Sequence, residues 1–324
     1  MKKLKVIMID AFKLEYLKYA PYLSSLTKKY EWGQLEMPSG HWGGMEVFFR
    51  GKSDKLALMY RPERSSLRWT RNFYWMENFG ESGRFLITCL INFIRLLKKK
   101  ELFRIGQIPL KKLYKFDFSI GKSLFYNLPV EFFYIGDLDK VGHEYGTKSR
   151  EIINAIRKLD NELSKRDFDI ILSDHGMSDI KEIISVPETE DCFIDSDMAR
   201  YWGNSEKLEE IKKRLPLQFG RIIEWPNKKY GELIFLANMG VLISPNYWQG
   251  NKIVKAMHGY NGKSKEIKAF YIIKNKGEKK NLKVEELHKI FREKLEMKNR
   301  KFYIMTEQEI QHKYKTGVLH NDRN

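Results

Sequence analysis

Three short segments far apart in the chain carry acids and imidazoles at spacings that suit divalent metals. They are Asp139-Lys140-Val141-Gly142-His143, Asp174-His175-Gly176-Met177 and His258-Gly259-Tyr260-Asn261. Asp10 adds a fourth source of ligand at the end of the apolar run Leu4-Lys5-Val6-Ile7-Met8-Ile9. Together they offer six oxygen and nitrogen ligands: Asp10, Asp139, His143, Asp174, His175 and His258. Carboxylates and neutral imidazoles suit Zn²⁺ first and Mn²⁺ second. Two such ions about 4 Å apart can clamp both the attacking and the leaving oxygen of a phosphoryl group, which is hydrolase chemistry.

An isolated Asp-x-x-x-His is ordinarily a solvated pair on a helix, so the surrounding elements decide how these motifs are read. Leu4 to Ile9 reads as a buried strand that delivers Asp10 to the carboxyl edge of a sheet, where open α/β folds place their sites. Phe168 to Ser173 is a second strand-like run, and Asp174-His175 sits where it ends. Phe132-Phe133-Tyr134-Ile135 is a third; Asp139 and His143 follow it after a turn at Gly136. Three acids at three strand ends predict an α/β fold with a mostly parallel central sheet flanked by helices.

The order of a strand-terminal Asp, then Asp-x-x-Gly-His, then Ser-Asp-His-Gly-Met, then a late His-Gly-Tyr resembles the alkaline phosphatase superfamily. The likeness is to its type I phosphodiesterase and nucleotide pyrophosphatase branch, in a microbial subgroup that the segments Asp195 to Trp202 and Tyr230 to Phe235 also resemble. The resemblance implies an alkaline phosphatase-like core, one metal held by Asp10, Asp174 and His175, and a second held by Asp139, His143 and His258. It also implies a Ser or Thr nucleophile in the stretch after the second strand, here Met37 to Gly51. At the aligned position that stretch offers His41 or Trp42, and the nearest hydroxyl is Ser39. Three chemistries stay open. Ser39 forms a covalent phosphoryl intermediate; or a metal-bound hydroxide attacks directly, with His41 as general acid or substrate contact; or the chain is a catalytically silent metal-binding relative that recognises a phosphorylated glycan or lipid. A sulfatase is disfavoured because the Cys or Ser followed by Pro and Arg that such enzymes convert is missing from this stretch.

With 324 residues, 42% of them hydrophobic, the chain can bury one large core. A single domain spanning 1–324 is expected, with an inserted cap segment at 61–128 and a second insertion at 182–242. Cys89 and Cys192 do not form a disulfide framework. The first strand starts close to Met1 with no apolar segment to cleave before it, so cytoplasmic residence is expected. The formal charge is +17. Lysines and arginines are interspersed with acids over most of the chain, and no helix-turn-helix, zinc-finger or aromatic RNA-binding signature occurs, which argues against a nucleic-acid partner. An anionic phosphate-ester substrate, on a nucleotide, a glycan or a lipid, accounts for the charge.

The stretch Phe85 to Leu97 is apolar apart from Thr88, Asn92 and Arg95, which with Lys99 recur at helical spacing, and Lys98, Lys99 and Lys100 follow. It is shorter than the about 20 residues needed to span a bilayer. Residues 85–100 suit either a helix lying against an anionic membrane surface, placing the protein peripherally at the inner face, or a cap helix packed on the core. Asp191, Asp195 and Asp197 read as solvated or capping acids, and Arg200 as either a phosphate clamp or a partner of one of them.

Overall fold

The computed structural model describes residues 3–40, 43–64, 68–102, 112–113 and 128–298. His41 and Trp42 lie outside the described residues, as does most of the 103–127 stretch.

The chain opens with β1 (Leu4–Ile9), followed by a 3-10 turn at Leu14–Tyr19, α1 (Pro21–Leu26), β2 (Glu31–Glu36) and α2 (Gly43–Arg50). The stretch from Leu14 to Leu26 is thus two helical pieces. Pro21 has no N–H to continue the first and is preset to begin the second. Next come α3 (Gly80–Leu97), β3 (Val130–Ile135), α4 (Asp137–Tyr145), α5 (Arg150–Leu163) and β4 (Ile170–Leu172). Ser149 caps α5 by accepting from the Ile152 N–H at 3.1 Å.

Between 182 and 242 lie β5 (Cys192–Ile194), β6 (Met198–Tyr201), α6 (Ser205–Arg214), β7 (Gly220–Ile223) and β8 (Leu233–Ala237). These four strands form their own antiparallel sheet, in the order β7-β8-β6-β5. The core resumes with β9 (Ala269–Ile273), β10 (Leu282–Lys283) and α7 (Val284–Lys298).

The central sheet runs β10-β2-β9-β4-β1-β3. β1 pairs in parallel with both β3 and β4, β10 pairs in parallel with β2, and β9 runs against both its neighbours. Alternation along β1 supplies both faces of the core. Leu4, Val6 and Met8 pack with Phe48, Phe49, Leu287, Phe291 and Leu295 of α2 and α7, while Ile7 and Ile9 pack with Leu23, Ile152, Ile156 and Leu159 of α1 and α5. A strand buried on both faces reads as a nearly continuous apolar run, which is what β1 is. The expected α/β fold with a mostly parallel central sheet is the fold observed.

The acids of the second segment differ from expectation. Asp195 and Asp197 are buried rather than solvated. Asp195 accepts from Trp248 Nε1 at 2.7 Å and faces Arg200 Nη2 at 3.3 Å. Arg200 is fully buried and donates to the carbonyls of Met59 and Tyr230 at 2.7 and 3.1 Å. Of its two readings, pairing with an aspartate is the one realised; the guanidinium ties residues 59, 195 and 230 together and has no face open to a phosphate. Asp191 behaves as a surface acid, paired with Arg61 and Lys207 at 3.1 and 3.3 Å. Cys89 and Cys192 are thiols.

Candidate metal centre

Parallel pairing puts the carboxyl ends of β1, β3 and β4 on one edge. Met8 stands level with both Tyr134 and Leu172, so the residues just beyond each strand converge there: Asp10, the α4 helix and Asp174-His175. The antiparallel β9 brings its opposite end to the same edge, because Tyr271 pairs with Leu172 and Ile273 with Ile170. The loop leading into β9 holds His258. Asp139 and His143 lie one turn apart on α4, so they share a helix face.

Four imidazole-to-carboxylate approaches define the cluster. Asp139 Oδ1 stands 3.3 Å from His143 Nε2 and 3.3 Å from His258 Nε2. His175 Nε2 stands 3.4 Å from Asp10 Oδ1 and 3.4 Å from Asp174 Oδ2. The His175 and His258 rings stack with centroids 3.8 Å apart, joining the two halves. Ligand atoms of Asp10, Asp174 and His175 lie within 4.8 Å of one another, as do those of Asp139, His175 and His258; His143 joins through Asp139. All six acids and imidazoles read from the motifs are thus brought together.

These separations are long for a charge-assisted hydrogen bond, which is usually about 2.7–2.9 Å. They match the edge of a tetrahedron whose centre lies about 2.0–2.1 Å from each ligand, roughly 3.3–3.4 Å. Asp10 Oδ1 and Asp139 Oδ1 are buried and accept no hydrogen bond of normal geometry, although a buried carboxylate oxygen ordinarily has a partner. The donor set and its spacing therefore fit divalent cations.

The outer contacts orient these side chains. His143 Nδ1 faces the Ala256 carbonyl at 2.8 Å and His175 Nδ1 faces the Gly176 carbonyl at 3.1 Å. A carbonyl only accepts, so each Nδ1 carries the hydrogen and each Nε2 presents its lone pair to the cluster. Asp174 Oδ1 accepts from the Ala11 and His175 N–H groups at 3.3 and 3.0 Å, which turns Oδ2 inward. Ser173 fixes the end of β4 by donating to the Phe12 carbonyl at 2.6 Å and accepting from the Phe270 N–H at 2.7 Å. Gly142 and Gly176 permit the close packing: a Cβ on the first would meet Met177 Sδ at 2.4 Å, and on the second the Glu266 carbonyl at 2.3 Å.

Three carboxylates gathered here strain the electrostatics. Burial, reinforced by the neighbouring Asp174 charge, pushes Asp10 up to about 7. Burial likewise pushes Asp174 up to about 7 against the lowering effect of the Ala11 N–H. Burial also acts to raise Asp139, but His143 and His258, when their Nε2 atoms carry a proton, hold it well below the usual carboxylate range. A dication in each half would favour the ionised acids.

Tyr134 belongs to none of the motifs. Its ring is half exposed, and its hydroxyl donates to Asp10 Oδ2. In the sequence it is one aromatic among several in β3, and only its register opposite Met8 sets it beside Asp10. Tyr134→Phe keeps the ring and removes the donor. The expected result is a roughly 10–100-fold loss of metal affinity or activity, the usual size for an outer contact to a ligand. Metal competition titration measures it, and unchanged affinity and turnover would show that Asp10 is held without this hydroxyl.

Ser39 sits half-buried at the end of the loop after β2. Its neighbour Gly40, at φ +94°, donates its N–H to the Gly259 carbonyl at 3.1 Å. The loop is therefore tied to the residue directly after His258.

The resemblance read from the motif order is borne out by comparison with known proteins. The family model for type I phosphodiesterase / nucleotide pyrophosphatase matches residues 129–218, a span that contains Asp139, His143, Asp174 and His175. Murine ectonucleotide pyrophosphatase/phosphodiesterase 5, solved as an inactive variant in complex with AMP, superposes with a TM-score of 0.63 at 13% identity, covering 96% of this chain and 99% of that one. The human counterpart superposes with a TM-score of 0.62 at 14% identity, covering 94% and 96%. These likenesses establish a common fold. No curated protein matches the chain in sequence.

Proposed function

We propose that the chain is a metal-dependent hydrolase of phosphodiesters, with Asp10, Asp174 and His175 holding one divalent ion and Asp139, His143 and His258 the other. The observation that carries this reading is the set of four imidazole-to-carboxylate edges of 3.3–3.4 Å, three of them on the buried Asp10 and Asp139 oxygens that accept no hydrogen bond of normal geometry. The family model at 129–218 supports phosphodiester chemistry, and the AMP complex of the murine neighbour makes a nucleotide ester the first substrate class to try.

Two dications there would neutralise charge developing on phosphorus and acidify a nearby hydroxyl. The protein's own groups do the rest. Ser39 is assigned the attack: its Oγ bonds to phosphorus, the leaving oxygen departs, and water then cleaves the phosphoserine to regenerate the hydroxyl. His41, two residues on in the sequence, is assigned proton donation or substrate contact. Tyr134, which holds Asp10 while exposing its ring, is assigned stacking on a base or sugar of the ester.

Metal analysis of the purified chain, with hydrolysis of a chromogenic phosphodiester and phosphomonoester after reconstitution with Zn²⁺ or Mn²⁺, tests the proposal. The expected result is about two bound ions and metal-dependent turnover, faster on the diester. Two tightly bound ions with no turnover on either ester would overturn it in favour of a silent metal-binding relative.

A further inference from the structure

The long helix α3 is inside out. Its 18 residues extend about 27 Å at 1.5 Å per residue. Gly80, Gly83, Arg84, Ile87, Thr88 and Ile91 form the face buried against the protein. Two of these are polar and satisfied inward: the Arg84 guanidinium lies 3.8 Å over the Tyr247 ring and donates to the Tyr247 carbonyl, and the Thr88 hydroxyl donates to the Arg84 carbonyl at 2.7 Å. The opposite face carries Phe85, Leu86, Leu90, Phe93, Leu96 and Leu97, each at least 45% exposed. A surface helix of a water-soluble protein ordinarily turns its polar stripe outward. The segment before it adds Trp75 and Phe79, both more than half exposed.

Charge identifies the occupant of this face. Acid on the helix is confined to Glu81 in the first turn, whereas Lys98, Lys99 and Lys100 follow its last turn and are all exposed. The chain as a whole is at +17. A second copy laid on the same face would bring these lysines against their own counterparts, or against a first turn whose acid is Glu81 alone. An anionic bilayer offers both an apolar layer for the phenylalanines and leucines and phosphate for the lysines. No described helix is long and apolar enough to cross a membrane, so the geometry is that of a helix lying in the interface.

We infer that α3 docks the protein on an anionic lipid surface, with Phe85, Leu86, Leu90, Phe93 and Leu97 entering the headgroup boundary and Lys98, Lys99 and Lys100 contacting lipid phosphate. The helix is fastened to the body by the Glu81 N–H donating to the Trp248 carbonyl at 3.1 Å and by Arg84 on Tyr247. Docking therefore positions the whole protein and not a loose arm.

Flotation of the full chain with phosphatidylcholine vesicles, with and without phosphatidylglycerol, tests the inference and does not depend on catalysis. Flotation with the anionic vesicles is expected. Partitioning onto neutral vesicles should be weaker by roughly a hundredfold, since three lysines at the surface each contribute about a factor of five. Phe93→Glu with Leu97→Glu replaces exposed side chains, so the circular dichroism melt should hold while partitioning falls at least about tenfold. Absence of flotation with either vesicle, or flotation untouched by this pair, would overturn the inference. A solution dimer that the same pair splits, without flotation, would assign the face to a second copy instead.

Discussion

Asp139→Ala is expected to remove hydrolysis together with one of the two bound ions. Asp139 Oδ1 is the atom that faces both His143 and His258 at 3.3 Å. Without it the two imidazoles retain no common anionic partner, and the half of the site they form loses its charge. Turnover should fall on the order of a thousandfold or more, the equivalent of the several kcal/mol that a resident metal supplies. Metal content should drop from about two ions towards one, because Asp10, Asp174 and His175 stand without contribution from Asp139. Elemental analysis and kcat/KM on the same preparation check both, with circular dichroism confirming the fold. A variant that retains two ions and full turnover would remove Asp139 from the ligand set. Asp174→Ala is the matched control: it should empty the other half, and it also releases the Ala11 N–H that the carboxylate now accepts.

Ser39→Ala is expected to cost on the order of a thousandfold in kcat with little change in KM, because a nucleophile takes part in the reacting bonds and contributes little to binding. Metal content should stay at its original value, which separates this variant from the ligand variants. The Gly40 to Gly259 hydrogen bond is made by backbone and survives the change, so a loss of activity reports the hydroxyl rather than the loop. Undiminished turnover would exclude an alkoxide route at Ser39. Direct attack by water would take its place, and the loss would then be expected in His41→Ala.

Much of the centre was legible because its chemistry is local in sequence. Asp10 closes a mostly apolar run, Asp174-His175 closes another, and Asp139 and His143 stand at i and i+4; side-chain type and strand period suffice to place them near a sheet edge. Less legible were features that depend on partners distant in sequence. The acids at 195 and 197 look like any loop acids until the second sheet closes over them and the buried Arg200 supplies the counter-charge. Tyr134 looks like core aromatic filler until parallel pairing places it beside Asp10.

The sequence by itself therefore determined the inventory of the site: three acids and three imidazoles in short segments at or just beyond strand ends, a donor set that suits divalent cations. It also marked the polar stripe of Thr88, Asn92 and Arg95 within an apolar helix, because a period of 3.6 is visible without a structure. Which way that stripe faces was a tertiary decision. A helix can bury either side, and only packing against Tyr247 and Trp248 turned Arg84 and Thr88 inward and left the leucines outside. The distances of 3.3–3.4 Å that gather six scattered residues into one cluster were likewise set by tertiary structure, since strand register and the antiparallel entry of β9 bring His258 to residues more than a hundred positions away.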